Sequence, residues 1–142
     1  MKFSTRGRYA LRFMIDLAQQ GANSYVPLRD VSKRQGISIK YLEQITALLS
    51  KFGLLQSVRG PQGGYRLSKA PENYTVGEIL RTTEGNMAPV ACLDSDVNTC
   101  ERQEFCQTLK MWKGLYKVVN DYLDSISLAS LIENPDVCDY VI

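Results

Sequence analysis

Apolar residues recur at helical spacing along the first half of the chain. The first predicted helix, residues 5–20, has these apolar positions on one face: Ala10, Phe13, Met14, Leu17 and Ala18. Gly21 ends this pattern, and Pro27 then opens a short second helix, LRDVSKRQ, that ends at Gly36. Two amphipathic helices are therefore predicted before residue 37.

A third helix and a hairpin complete the first half. The helix begins after Ser38, a good N-cap, and ends at Gly53. Two helices separated by the tight turn RQGIS form a helix-turn-helix signature. The segments LLQSVRG, PQGG and YRLS then alternate as a hairpin does, and Gly63 and Gly64 are expected to supply positive φ angles. The pattern predicts a winged helix-turn-helix.

The second half contains a short helix and a longer one. VGEILRTTE, residues 76–84, is predicted to be helical with Thr75 as its N-cap. Further on, apolar residues recur at intervals of three and four, as in an a/d seam: Leu109, Trp112, Tyr116, Val119, Leu123 and Ile126. We expect this seam to form a dimer interface, and burial against its own domain is the alternative.

The predicted elements define a fold class and three regions. The chain is expected to be mainly α, with a winged helix-turn-helix DNA-binding domain in residues 1–74 and a long C-terminal dimerisation helix. Residues 75–107 hold the short helix and a cysteine-bearing loop, and residues 108–142 hold the dimerisation helix and the C-terminal tail.

Charge and composition restrict the function. Residues 1–69 carry twelve Lys and Arg against three acids, a net charge of +9, whereas residues 70–142 carry five against twelve, a net charge of −7. A basic half of this kind favours double-stranded DNA as the partner. Histidine is absent from the sequence, so Ser-His-Asp triads and Cys-His pairs cannot form within the chain, and an enzyme is not expected.

The N-terminal segment and the hydropathy bear on location. Arg12 and Asp16 interrupt the apolar part of what would otherwise resemble a signal peptide. No apolar run approaches the length of a membrane span. We expect a cytoplasmic protein that has no membrane partner and whose thiols stay reduced.

The DNA-contacting residues are expected on the third helix and the wing. The third helix would enter the major groove, with these candidates on its N-terminal turns: Ser38, Lys40, Tyr41 and Gln44. The wing would reach the backbone or the minor groove with Arg59 at its tip, and glycines would allow close approach of its backbone: Gly60, Gly63 and Gly64. A homodimer would read a pseudo-palindromic operator.

Three of the four cysteines lie close together in ACLDSDVNTCERQEFCQ, residues 91–107. Cys92, Cys100 and Cys106 stand among polar and acidic residues, so packing in a core explains them poorly. Thiolates can hold zinc or an iron–sulphur cluster, although the spacing C-x₇-C-x₅-C does not match a zinc knuckle. The residues alone leave open a metal centre, a thiol redox switch and structural thiols.

A family resemblance narrows these alternatives. The segments TRGRYALRFMIDLA, VSKRQGISIKYLEQI, VRGPQGGYRLS and SLASLIE, in that order, resemble the winged-helix repressors related to IscR, the regulator of iron–sulphur cluster assembly. The resemblance implies a homodimeric transcription regulator, expected to be a repressor, with crossed C-terminal helices. It also implies that Cys92, Cys100 and Cys106 hold an iron–sulphur cluster, expected to be 2Fe–2S. The related cysteine metabolism repressors bind no cluster, so control by zinc, by a thiol switch or by a protein partner is the alternative.

The fourth ligand of such a cluster departs from the family pattern. The histidine of the IscR type is replaced by Leu109, and the acidic residue of the nitric-oxide-sensing relatives is replaced by Arg8. Glu101 and Glu104 lie between the second and third cysteines, and we expect an oxygen donor of this kind, or a residue of the partner's DNA-binding domain. Cys138, near the C-terminus, is expected not to be a ligand.

Overall fold

The computed structural model describes residues 1–21 and 23–133, and Cys138 lies outside them. The helices are α1 (Thr5–Gln19), α2 (Leu28–Gln35), α3 (Ile39–Lys51), α4 (Val76–Glu84), α5 (Leu109–Ser125) and α6 (Leu128–Glu133). The strands are β1 (Leu55–Val58) and β2 (Gly64–Leu67), and short 3-10 turns lie at Pro71–Asn73 and Ala91–Leu93. Within these residues no helix is long and apolar enough to cross a membrane.

Capping side chains set the predicted helix boundaries. The hydroxyl oxygens of Ser4, Ser38 and Thr75 each accept a hydrogen bond, at 3.0–3.2 Å, from a backbone N–H three residues further on. At the other end of α2, Gly36 adopts φ +66°, a left-handed conformation that closes the helix at low cost only in glycine. The five helices expected from the sequence are confirmed, and α6 is an additional short one.

The wing is an antiparallel hairpin whose register runs from Leu55 opposite Leu67 to Val58 opposite Gly64. Tyr65 of β2 also exchanges two backbone hydrogen bonds with Val26, at 2.8 and 2.9 Å. These bonds attach the wing to the segment before α2. A Cβ at Gly64 would lie 2.3 Å from the Val26 carbonyl oxygen, so only glycine permits this approach.

The turn of the wing differs from expectation in one detail. Positive φ occurs at Gly60, +111°, and at Gly64, but not at Gly63. Gly63 is required for another reason, because a Cβ there would lie 2.2 Å from the Val58 carbonyl oxygen. The prediction of positive φ at Gly63 was therefore wrong. Glycine is needed at this position because the two sides of the turn lie too close together to admit a side chain.

The main core lies between α1 and α3 and continues into α4 and α6. Its fully buried members include Phe13 and Met14 of α1, Ile45 of α3, Ile79 of α4 and Leu128 of α6. Because α4 and α6 contribute to the same core, the helices after residue 74 pack directly on the winged helix-turn-helix unit.

Tyr74 closes this core beneath the wing. Its side chain is fully buried. Its hydroxyl donates to the Leu54 carbonyl at 2.6 Å and accepts from the N–H groups of Ser68 and Lys69 at 2.9 and 3.3 Å. One side chain thus joins the beginning and the end of the hairpin.

A second, smaller cluster holds α5 against α4. Buried Leu80 and its neighbours contact the half-buried Leu123 and Ile126. Beside this cluster, the Arg81 guanidinium donates to Asn120 Oδ1 at 3.0 Å and to Asp124 Oδ1. The orientation of α5 is therefore set by both apolar and charged contacts with α4.

Candidate nucleic-acid interface and cysteine loop

Helix α3 presents a polar face to solvent, as expected of an amphipathic helix whose other face packs on a core. Leu42, Ile45 and Leu49 are buried in the core, whereas Lys40 and Gln44 are exposed. The two predicted base-reading side chains therefore lie free on the surface of the helix.

Ser38 and Tyr41 have structural contacts as well. The Ser38 hydroxyl oxygen accepts the Tyr41 N–H at 3.2 Å and so caps α3. The Tyr41 ring is half-buried and meets the edge of Tyr9 on α1, with ring centroids 5.6 Å apart and an interplanar angle of 81°. These two candidates help to hold α3 in place, and only their remaining polar atoms are available to a ligand.

Ile39 was not among the residues expected from the sequence to contact DNA. It is the first residue of α3 and is 44% exposed, next to Lys40. An exposed branched side chain at the start of a recognition helix suits contact with a thymine methyl group. The sequence feature that could have identified it is its position outside the apolar stripe of α3.

An ion pair between an exposed arginine, Arg34, and a buried carboxylate, Asp16, anchors the end of α2, just before the turn into α3. Asp16 on α1 is 1% exposed and accepts from Arg34 Nη2 at 2.7 Å, Arg34 Nε at 3.0 Å and Gln35 Nε2 at 3.0 Å. The hydrogen bonds that Arg34 donates to the Asp16 carboxylate raise the pKa of its guanidinium. Arg12 on α1 donates from Nε to Gln35 Oε1 at 3.1 Å and from Nη2 to the Gln35 carbonyl. Two of the counted cations, Arg12 and Arg34, are thus partly engaged within the chain.

The wing tip carries the other candidates. Arg59 and Gly60 are exposed, whereas Gly63 and Gly64 are half-buried and meet the steric demands described above. Between the wing and α3 lies an open cleft whose lining includes Glu43 and Arg59. Helix α3 and the wing therefore form one continuous surface.

The cysteines lie in the connection between α4 and α5. Cys92 is in the Ala91–Leu93 turn and is half-exposed, whereas Cys100 and Cys106 are exposed, and all three are free thiols in the described part of the chain. Across residues 1–21 and 23–133, no three Cys, Asp or Glu side chains are gathered closely enough to hold a metal ion. Glu101 and Glu104 are exposed. The donors are present and accessible in the loop, and a metal centre would require the loop to bring them together.

Cys106 has a distinct environment among these thiols. Its sulphur lies 3.4 Å from the Thr108 hydroxyl. This hydrogen bond, followed by those from the backbone N–H groups of Thr108 and Leu109 and by the charge of Arg102, lowers the pKa of the Cys106 thiol. A larger thiolate fraction makes this cysteine the better nucleophile and metal ligand.

Helix α5 carries two apolar stripes, and the predicted seam is the one that faces its own chain. Tyr116 of the seam donates to Asn86 Oδ1 at 3.0 Å, and Leu123 packs against α4. The exposed stripe is a different set, with intervals of four, three and four residues: Met111, Leu115, Val118 and Tyr122, which are 38–66% exposed. The C-terminal end of the Leu109–Ile126 seam, Leu123 and Ile126, packs against α4, whereas the assignment of the seam to a dimer interface stays a prediction.

Known proteins are similar to this chain in sequence and in fold. The family model described as Rrf2, iron-dependent transcriptional regulator, matches residues 3–134. The transcriptional regulator IscR of Erwinia tasmaniensis is 39% identical over 137 residues, covering 96% of this chain and 82% of that protein. IscR of Aliivibrio salmonicida is also 39% identical over 137 residues, covering 96% of this chain and 80% of that protein.

Solved structures give the same result. IscR of T. potens matches with a TM-score of 0.76 and 37% identity, covering 100% of this chain and 93% of that chain. CymR, the global cysteine regulator of B. subtilis, matches with a TM-score of 0.76 and 33% identity, covering 94% of this chain and 97% of that chain. The mainly helical winged-helix fold is thereby confirmed. The relatives are named regulators, which also confirms the expectation that the protein is not an enzyme.

Proposed function

The chain belongs to the Rrf2 family of transcriptional regulators, and from that premise we propose that it is a homodimeric repressor controlled by an iron–sulphur cluster. The observation that carries this proposal is the position of Cys92, Cys100 and Cys106. They lie in the chain segment between α4, which packs on the DNA-binding unit, and α5. Binding or loss of a cluster in this loop can therefore affect both the DNA-binding unit and α5.

The DNA-contacting surface consists of α3 and the wing. Lys40 and Gln44 reach base edges in the major groove, while Ser38 and Tyr41 contribute their remaining polar atoms at the start of the helix. Arg59 enters the minor groove or follows the phosphate backbone, and the wing glycines, Gly60, Gly63 and Gly64, let its main chain approach DNA closely. The exposure of Lys40, Gln44 and Arg59 supports these roles.

Ile39 adds an apolar contact to this surface. Replacing thymine by uracil throughout the bound DNA removes the methyl groups that Ile39 would touch. We expect this replacement to weaken binding of the wild-type protein more than that of Ile39→Ala. An equal loss in both proteins would remove Ile39 from the interface.

Three cysteine thiolates suit a 2Fe–2S cluster, and the donor set of the loop is compatible with one. Cys92, Cys100 and Cys106 would supply sulphur, with Glu101 or Glu104 as an oxygen donor, and the lowered pKa of the Cys106 thiol favours its thiolate form. When bound, the cluster would supply a redox-active and oxidant-sensitive group whose presence depends on iron supply. An oxygen ligand in place of sulphur would make it easier to lose.

The dimer forms through the exposed stripe of α5, with a second copy of the chain as the partner. The order of charges along the helix is compatible with this choice, because Lys110 and Lys113 lie in its first part and Asp121 and Asp124 in its last part. Within the chain, Asp121 pairs with Lys117 and Asp124 with Arg81, so a partner copy would share these carboxylates. Two antiparallel copies would bring the basic part of one helix to the acidic part of the other, as an isologous interface requires. A twofold dimer would then read a pseudo-palindromic operator.

An anaerobic experiment tests the cofactor. Wild-type protein supplied with iron and sulphide should become brown, and Cys92→Ala, Cys100→Ala and Cys106→Ala should each remain colourless. Cys138→Ala is the matched control and should colour like the wild type. Loss of colour in Cys138→Ala would make that cysteine the fourth ligand. A colourless wild type would favour the alternative.

The alternative is a regulator without a cluster, controlled by zinc, by thiol oxidation or by a protein partner. The Cys106–Thr108 contact supports the thiol switch in particular, because it lowers the pKa of that thiol. Zinc analysis, and operator binding before and after mild oxidation, separate the first two forms of this alternative.

A further inference from the structure

The side chain of Asn86 joins three parts of the molecule. Its Oδ1 accepts from the Ala88 N–H at 2.7 Å and from the Tyr116 hydroxyl at 3.0 Å. Its Nδ2 donates to the carbonyls of Leu93, at 3.4 Å, and Asp94. The carboxamide oxygen of this exposed side chain therefore accepts two hydrogen bonds, and its nitrogen donates two.

These bonds connect the first cysteine with α5. Leu93 ends the turn that contains Cys92, and Tyr116 lies on α5, thirty residues from Asn86. A simple turn-forming asparagine would need only the bond to Ala88. The bonds to Tyr116 and to the cysteine turn go beyond that local role.

The end of α4 just before Asn86 is attached to α1. Glu84 accepts from the Ser4 N–H at 2.8 Å and from the Ser4 hydroxyl at 2.6 Å. Arg6 donates to the Thr83 carbonyl at 3.0 Å. Gly7 is buried at this contact, where a Cβ would lie 2.3 Å from Glu84 Oε1. Asn86 therefore follows directly after a segment that is hydrogen-bonded to the N-terminal end of α1, in the DNA-binding unit.

We propose that Asn86 is a positioning residue that couples the Cys92 turn to α5. The inference rests on the proposed function, in which Cys92 is a cluster ligand. A displacement of the Cys92 turn changes the hydrogen bonds of Asn86, and Tyr116 passes that change to α5. Because α5 orients the two copies, the spacing of their α3 helices on DNA then depends on the state of the loop.

Three variants test the coupling. Asn86→Ala removes all four bonds, whereas Tyr116→Phe removes only the bond to α5. Asn98→Ala is the matched control, because Asn98 Oδ1 accepts from the Cys100 N–H at 2.9 Å and this bond stays within the loop. The first readout is the ratio of operator affinities of the cluster-loaded and cluster-free forms. The second readout is hydrogen exchange of residues 88–94 in the cluster-free protein.

We expect Asn86→Ala and Tyr116→Phe to load a cluster with wild-type absorbance while their affinity ratio falls toward unity. In Asn86→Ala, exchange of residues 88–94 should be roughly tenfold faster, because loss of the hydrogen bonds that Asn86 makes to this segment lowers its local stability. Asn98→Ala should keep the wild-type ratio.

Two results overturn the inference. One is a wild-type affinity ratio in both Asn86→Ala and Tyr116→Phe. The other is an equal loss of the ratio in Asn98→Ala, which would make the effect one of general loop disturbance. A wild type that never takes up a cluster refutes the proposed function instead, and the exchange rates then decide whether Asn86 holds the turn.

Discussion

Val118→Ala distinguishes the two apolar stripes of α5. Val118 is 66% exposed and belongs to the stripe that we assign to the partner copy. The substitution removes two methyl groups, about 1.6 kcal/mol if both were fully transferred from water. About two thirds of that, or roughly 1 kcal/mol, depends on the partner, since one third of the surface is already covered within the chain. Each dimer contains the residue twice, so the expected loss is roughly 2 kcal/mol, or about 30-fold in the dimer dissociation constant.

Val119→Ala is the matched control for this substitution. The same two methyl groups are removed one position along the helix, on the side of Tyr116 and Leu123, which contact the chain itself. This variant should lower the thermal stability of each chain and change the dimer dissociation constant little.

Sedimentation equilibrium over a dilution series, together with thermal unfolding, measures both effects. Operator binding by Val118→Ala should weaken in parallel with dissociation, because a single half-site binds poorly. The reasoning is refuted if Val119→Ala separates the subunits as strongly as Val118→Ala, since the Leu109–Ile126 seam would then be the interface.

Three further outcomes follow from the wing and the loop. Arg59→Ala should cost roughly 1–3 kcal/mol of operator binding, and unchanged affinity in a footprinting titration would contradict the wing assignment. Tyr74→Phe should lower stability by about 1–3 kcal/mol, because the Leu54 carbonyl and two backbone N–H groups lose their buried partner, and the melting temperature measures this. Thr108→Ala should raise the pKa of the Cys106 thiol toward that of an ordinary cysteine, because the hydroxyl that stabilises its thiolate is removed. Alkylation of Cys106, followed by mass spectrometry, should therefore slow at pH values below the thiol pKa and stay unchanged well above it. An unaltered rate at low pH would exclude the Thr108 hydroxyl as the cause.

The elements of the fold could be predicted from the sequence because the interactions that define them are local. Ser38 caps α3 through a bond to a residue three positions away, and Gly36 ends α2 through its own backbone conformation. The order of three helices and a glycine-rich hairpin then leaves few arrangements of the chain. The exposure of Lys40 and Gln44 also followed from helical periodicity, whereas their role in binding DNA stays a prediction.

The sequence by itself determined helices α1 to α5 and the two strands, and that α5 has apolar positions at heptad spacing. Only the tertiary structure decided which stripe of α5 faces its own chain, because Val118 and Val119 are equally apolar and only contacts with α4 distinguish their faces. It also decided that Arg12 and Arg34 bond to residues of α1 and α2, which a net charge cannot reveal. Asn86 is the clearest case. Its bond to Tyr116 joins positions thirty residues apart, and sequence spacing carries no information about such a contact until the chain has folded.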